Sequence, residues 1–463
     1  MATVAHDGVW APARRPLTAG LVLAVTLVAV EALAVGAALP LVKDDLGGLG
    51  LYGWAFSAFQ LGSLVGIVVA GRAADRRGAR YPLAAVLVLC AVGLVAAGLA
   101  PSMLVLVGAR VLQGLGGGAV PAVAYVSIGR RYPDALRPRM FALLSTAWVV
   151  PGLTGPSLGA LVAEGPGWRW VFLGLLPLVG LAGALTLPAL ANTGATGSEA
   201  EGADERPASL PDALRVAVGA SLVLGGVNAD ELLPGLLLIP LGLALGLPAL
   251  RRLVPAGTLR AVPGLPATVL VRGVLTFSFF GTDAFVPLGL TSVRGSGTLL
   301  AGATLTGATL GWTTGSWVQA QTVPRLGARP LVRRGFALLL VGIVATSFVL
   351  LGPVPPVLAV VTWALGGLGI GLAYSSLSLT VLREAAPGLE GEASSALQLL
   401  DVLGIALGTG AAGALVDFAD VSGRSPGTGI GSAWALMGLV AVIGLWLSRR
   451  LPGPVAVLAV TTT

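Results

Sequence analysis

Apolar runs long enough to cross a bilayer recur from one end of this chain to the other, and little is left between them. A spanning helix needs about 20 predominantly apolar residues. Such runs stand at roughly 17–40, 51–70, 82–100, 102–126, 140–163 and 168–190, and again at 266–290, 299–322, 331–351, 357–382, 393–418 and 432–451. Two shorter runs, 213–229 and 232–250, lie between the sets and are joined by the polar Asn228-Ala229-Asp230-Glu231. Lipid offers no partner to backbone polar groups, so such a chain must satisfy them within helices. Only 11% of the 463 residues are charged, against about 25% in soluble domains. The expectation is an all-α polytopic membrane protein with 14 transmembrane helices. It divides into a six-helix bundle over 1–190, a linker over 191–212, an extra hairpin over 213–250, and a second six-helix bundle with its tail over 251–463. The linker holds Glu199, Glu201, Asp204 and Glu205 and reads as a flexible connector. For 213–250 the alternative is a helix pair lying along the membrane surface. The first apolar run exceeds the core of a cleavable signal peptide, so it is read as a retained span.

Charge sets the orientation. The net charge is +7, nearly all from Arg. With the N-terminus inside, 22 of the 28 Lys and Arg residues fall on the cytoplasmic side. Lys43, Arg169, Arg294 and Arg424 fall outside, and Arg110 and Arg272 lie within spans. This inside-positive bias puts both termini in the cytoplasm, and the excess is read as loop charge, with no nucleic acid as partner. Cys90 is the only cysteine and His6 the only histidine, so neither an internal disulfide nor a zinc or haem site is expected. No G-x-x-x-x-G-K-[ST] loop occurs. The GLGGG run at 114–118 looks like a dinucleotide loop, but it sits inside a span with no strand before it, so close helix packing explains it better. No metal and no cofactor is expected.

The two sets of six runs carry a repeat. RRGAR at 76–80 follows the second run, and RLGAR at 325–329 follows the second run of the last six. Two halves of parallel topology suggest a transporter whose site lies between them near the midplane. The first of these loops reads GRAADRRGARYPL at 71–83, with Asp75 among Arg72, Arg76, Arg77 and Arg80. Its order resembles the G-x-x-x-D-R-x-G-R/K signature of the major facilitator superfamily. Ala79 departs from that pattern, and in the second copy Pro324 stands where Asp75 would. Arg110-Val-Leu-Gln113-Gly114 resembles the family's R-x-x-Q-G element, and Gly155-Pro156-Ser-Leu-Gly159 resembles the G-P-x-x-G core of its antiporter motif. Pro151 and Ala160 replace glycines usual at the flanks. Gly152, Gly155 and Gly159 form a small-residue face, and Pro156 favours a bend; a plain packing seam is the competing reading. EALAVGAALP at 31–40 resembles the D-x-T-x-V-N-V-A-L-P element of fourteen-span drug:proton antiporters, with Glu31 for Asp. GWRWVF at 167–172 and the hairpin also fit that family. The resemblance implies two bundles rocking about a central site. It also implies a cytoplasmic latch formed by Gly71, Asp75, Arg76, Gly78 and Arg80.

The chemistry rests on charges inside the spans. A mid-span carboxylate costs about 2.5–3.5 kcal/mol on insertion scales and is rare without a task or a partner. Counting about 1.5 Å per residue, Glu31 and Arg110 both lie roughly 12–13 Å from the outer end of their spans. They share a depth; the sequence leaves open whether they share a face. Burial opposes the charge on Glu31 and an adjacent guanidinium favours it. A motion that separates them would let Glu31 take a proton outside and release it inside; a static ion pair is the alternative. Asp283, with Phe279, Phe280 and Phe285 close in sequence, is expected to handle an amphipathic cation or, with Glu31 and Arg110, the coupling proton; the alternative is an aromatic core whose acid faces water. Asp401 and Arg272 share the inner half and are expected to pair as a fixed bolt. Gln60, Gln113, Trp148, Trp312, Tyr374 and Gln398, with Phe280 and Phe285, are the pocket candidates. The expectation is a monomeric, proton-driven exporter of amphipathic small molecules in a bacterial cytoplasmic membrane, with substrate, protons and lipid bilayer as its partners. A proton-coupled carrier of a specific metabolite or lipid is the runner-up. A non-transporting receptor is the alternative from another class, and an enzyme has no nucleophile constellation to support it.

Overall fold

The computed structural model describes residues 8–133, 136–191, 210–229, 232–386 and 389–453. Among these no strand occurs. The helices are α1 (Arg15–Leu46), α2 (Tyr52–Arg77), α3 (Arg80–Gly98), α4 (Met103–Gly117), α5 (Val120–Arg131), α6 (Arg137–Thr146), α7 (Val149–Val162), α8 (Arg169–Leu173) and α9 (Leu176–Ala191). Then follow α10 (Leu210–Val227), α11 (Leu232–Leu253), α12 (Leu265–Asp283), α13 (Val286–Leu288), α14 (Thr298–Leu326), α15 (Ala328–Val349), α16 (Leu358–Glu384), α17 (Glu390–Val421) and α18 (Pro426–Leu447).

Eleven helical stretches among the described residues are long and apolar enough to cross a membrane. Three of the expected runs are not among them. Run 102–126 is divided between α4 and α5, and run 140–163 between α6 and α7. Each break falls within the four residues before a proline: Pro121 cannot donate to the Gly117 carbonyl, nor Pro151 to that of Ala147. Run 299–322 lies in α14, an unbroken helix of 29 residues whose Thr and Gln side chains dilute its apolar character. Pro156, by contrast, is accommodated inside α7 without ending it.

The repeat in the sequence is a repeat in backbone conformation. Gly78 ends α2 with φ 77° and ψ 166°, and Gly327 ends α14 with φ 74° and ψ 169°. A positive φ of that kind is where glycine is tolerated and a Cβ is not. In each half the chain thereby turns back at once into the next helix.

α1 packs on α7 and α9, while α2 and α3 pack on α4. In the second half α12 packs on α17, and α14 and α15 pack on α16. The halves meet along two seams, α2 with α17 and α7 with α14. On the first, Gly53 and Gly413 stand backbone to backbone, and the Ser57 hydroxyl donates to the Ala406 carbonyl at 2.8 Å and lies 2.9 Å from Thr409 Oγ1. On the second, Gly302 lies over the Pro156 carbonyl, and Ser157 Oγ is 3.0 Å from Thr306 Oγ1. Both seams lie toward the helix ends that carry the 47–51 and 163–168 connections, opposite the 78–80 turn.

α10 and α11 form a close antiparallel pair in which Gly219 meets Gly242 and Gly246. α10 also rests on α2 and α17 together. Leu224 sits on Gly410, and Leu61, Leu64, Val216, Ala217, Leu400 and Leu403 share one buried cluster. Asp212 at its start bonds Arg215 of its own helix at 3.1 Å and Arg252 of α11 at 3.2 Å. Of the expected linker, 191–212, residues 192–209 lie outside the described residues; its ends are helical instead, Ala191 closing α9 and 210–212 opening α10, where Asp212 is held by Arg215 and Arg252.

Candidate functional site

Glu31 on α1 and Arg110 on α4 do share a face. Arg110 Nη1 donates to Glu31 Oε1 at 2.7 Å and to Gln113 Oε1 at 2.9 Å, and its Nε donates to the Ala55 carbonyl of α2 at 3.0 Å. The Phe59 ring lies 4.5 Å from the guanidinium carbon. Glu31 is 0% exposed and Arg110 3%. Two charges removed from water to this extent persist only when paired and hydrogen-bonded. The helix break at 118–119 follows directly, and Gly114, packed against the Phe59 carbonyl, lets α4 approach α2 closely enough for the contacts to form.

The second half holds two further sites. Asp283, at the end of α12, accepts a 2.7 Å hydrogen bond from Trp363 Nε1 of α16. Phe279 stacks on Trp363 at 5.0 Å and meets Phe280 and Trp312 edge-on, and Trp312 meets Tyr374 at 5.1 Å. This aromatic group draws on α12, α14 and α16 and has an acid at one end. At its other end Arg272 Nε donates to Asp401 Oδ1 at 2.7 Å, and Tyr374 Oη donates to Asp401 Oδ2 at 2.9 Å. Arg272 Nη1 also reaches the Tyr374 carbonyl at 2.8 Å and Ser378 Oγ at 3.2 Å. The network ties α12, α16 and α17 together.

The other sequence-derived positions fall in several places. Phe280, Trp312 and Tyr374 are partly buried in the aromatic group. Phe285 is fully buried and packs on Tyr52 of the first half at 5.1 Å, on the seam between halves. Gln113 is buried and holds Arg110. Trp148, just before α7, and Gln398 on α17 are exposed, and Gln60 is partly buried. Gly152 faces Thr309 of α14, whereas Gly155 and Gly159 face Leu33 and Ala34 of α1. Gly71 lies on α2, as do Asp75 and Arg76, whose side chains fall outside the described residues; Arg80, past the turn at Gly78, is exposed, 6.0 Å from the Tyr81 ring. No cluster of metal-ligating side chains occurs among the described residues.

Sequence reasoning missed Trp363, whose place beside Asp283 comes from packing across 80 positions of chain. It also missed Asp45, which accepts from Trp168 Nε1 at 3.0 Å and Arg169 Nη1 at 2.8 Å and so gives GWRWVF a task, fastening α8 to α1. Trp363 had a signal, an indole deep in an apolar run, where its N–H needs an acceptor.

The sequence profile of the Major Facilitator Superfamily matches residues 21–409. A probable multidrug-efflux transporter of Mycobacterium tuberculosis is 28% identical, over 97% of this chain and 99% of its own. The multidrug transporter protein MdtP of Bacillus subtilis is 24% identical over 87% of this chain and 75% of its own. Among solved structures, a D-xylose–proton symporter superposes with a TM-score of 0.66 at 13% identity, over 95% of this chain and 98% of that one. A matching profile across most of the chain, on a helical framework that superposes on a transporter of this kind, identifies a multi-pass membrane transporter rather than an enzyme: the chain belongs to the major facilitator superfamily.

Proposed function

We propose that the protein is a proton-coupled antiporter that exports amphipathic small molecules from the bacterial cytoplasm by alternating access. The observation that carries this reading is the Glu31–Arg110 pair, sealed inside the first-half helices. A proton on that carboxylate would leave the Arg110 guanidinium buried without its counter-charge, so loading favours a state in which Arg110 gains another acceptor or water, and that ties the proton to the conformational change. The printed names of the M. tuberculosis and B. subtilis relatives support multidrug export.

In this reading α4–α5, α6–α7, α8–α9 and α12–α13 each make one crossing. With α10 and α11 as a true hairpin, fourteen crossings result, arranged as a six-helix bundle, the hairpin and a second six-helix bundle. Exposed Leu233, Leu236, Leu237, Leu241 and Leu243 on α11 support its lipid contact. The arginine distribution puts both termini in the cytoplasm of a bacterial inner membrane. The two seams between halves then lie at the outer side, which supports an inward-facing state, and the reading requires no more than a monomer. The aromatic group with Asp283 is the substrate site, suited to a cation with an apolar body through Coulomb and cation–π attraction. One proton entering across 100 mV supplies about 2.3 kcal/mol, and each pH unit adds about 1.4 kcal/mol; no cofactor is needed.

The test is transport by the full chain in proteoliposomes under an imposed pH gradient, with a lipophilic cation and a neutral drug offered separately. Wild type should move substrate against its gradient and carry protons the other way. Glu31→Gln should lose uphill transport while still binding substrate. A Glu31→Gln protein with full proton-driven transport refutes the assignment of the coupling acid, and a wild type that moves no drug refutes the export reading.

A further inference from the structure

The four glycines that close α4 and its break are not alike. Gly114 lies against the Phe59 carbonyl, Gly116 against the Cys90 amide nitrogen and Gly118 against Ser63 Oγ. None of the three has room for a Cβ. Gly117 does: the nearest atoms to a Cβ there would be Glu31 Oε2 at 3.6 Å, Val28 Cγ2 at 3.7 Å and Phe59 Cε2 at 3.8 Å. Packing does not require a glycine at 117, and the space it leaves is bordered by a carboxylate oxygen.

That oxygen has no hydrogen-bond partner among the described residues, although Glu31 is 0% exposed and its other oxygen is held by Arg110. The Gly117 carbonyl has also lost its helical donor, because Pro121 stands four residues on. Gln113 Nε2, on the same guanidinium cluster, is likewise buried without a partner. An ionised Oε2 needs a hydrogen-bond donor; a protonated one needs an acceptor. A fixed N–H or carbonyl satisfies one state and penalises the other by leaving a buried group unpaired. Water satisfies both.

We propose that the space between Gly117 and Glu31 holds one water molecule that hands the coupling proton to and from Glu31 Oε2. The proposal rests on Glu31 being the coupling acid, as argued above. In loading, a hydronium at this position gives one proton to Oε2 and remains as water; in release the transfer runs backward. The titratable groups around the pair are Arg110 itself, from α4, and the buried Cys90 of α3. α2 presents the Phe59 ring to the space, and α1 presents Val28. Gly117 is therefore a positioning residue.

Two substitutions of nearly equal size separate a proton relay from a packing role. Gly117→Ala puts a methyl 3.6 Å from Oε2, narrowing the room for the water beside it. Gly117→Ser puts the same carbon there with a hydroxyl that reaches Oε2 and serves either protonation state. Both variants, wild type and Glu31→Gln are reconstituted as full chains with ethidium as substrate. Substrate-coupled proton flux under a pH gradient is compared with gradient-free ethidium exchange. For Gly117→Ala a loss of coupled flux of at least about tenfold is expected, with exchange within about twofold of wild type; Gly117→Ser should keep flux within about threefold. Wild-type flux in Gly117→Ala, or equal losses in Ala and Ser, overturns the water. A Glu31→Gln protein with intact coupling overturns instead the reading on which it rests.

Discussion

Arg110→Met isolates what the buried ion pair contributes. In the folded protein Arg110 is 3% exposed, and it satisfies Glu31 at 2.7 Å, Gln113 at 2.9 Å and the Ala55 carbonyl at 3.0 Å. Methionine keeps much of the side-chain volume and the contact with Phe59 but removes every donor. Glu31, with no access to solvent, is left as an uncompensated charge. Breaking a buried pair from one side costs about 3–5 kcal/mol, and the two neutral acceptors left behind add to it non-additively. The double variant Glu31→Leu/Arg110→Met removes the charge as well and should recover most of the loss, since apolar replacement of a buried pair is often neutral. Acid should act in the same direction on the single variant, because a protonated Glu31 no longer buries a charge; stability lost at about pH 7.5 should be partly regained at about pH 5. Equilibrium unfolding in mixed micelles with increasing SDS measures all of this. An Arg110→Met protein as stable as wild type at neutral pH, or a double variant no better than the single one, would refute the reasoning.

Three other outcomes follow from the geometry. Asp401→Asn removes the charge-assisted bond to Arg272 and should cost about 1.5–3 kcal/mol in the same unfolding assay, whereas Tyr374→Phe, which loses one neutral donor to Asp401, should cost about 1 kcal/mol. Gly413→Leu cannot coexist with Gly53 at backbone contact across α2 and α17. It should hold that seam open, seen as faster maleimide labelling of a cysteine placed at Thr409 than in the wild-type background. Leu224→Ala empties the seat of α10 on Gly410 and should destabilise by about 2 kcal/mol, the low end for Leu→Ala, because lipid cancels most of the transfer contribution and leaves packing. Loss of the hairpin's protection from protease at 228–229 reports it.

The membrane character of the chain, its helices and the repeated turn were legible in the sequence because each is a local property. Apolar length marks α1, and the matched RRGAR and RLGAR loops mark turns that reuse one backbone conformation at Gly78 and Gly327. The pairing of Arg272 with Asp401 was legible in outline from shared depth. Glycine was harder to read. Gly114, Gly116, Gly117 and Gly118 are one run of small residues in the sequence, but three are packing contacts and one borders a carboxylate. Proline was ambiguous too: Pro121 and Pro151 follow breaks, whereas Pro156 sits inside a continuous helix.

Composition alone determined that this chain lives in lipid and that ionised groups such as Glu31 need a reason to be there, since hydrocarbon solvates neither backbone nor charge. Only the tertiary structure decided which groups meet. Glu31 finds Arg110 across 79 positions, Asp283 finds Trp363 across 80, and Phe285 leaves its sequence neighbours to close the seam against Tyr52. The physical reason is rotation. Depth along a helix accumulates at a fixed rise per residue and can be counted, but the face a side chain presents depends on how each helix is turned against its neighbours, and that is set by packing among all of them at once.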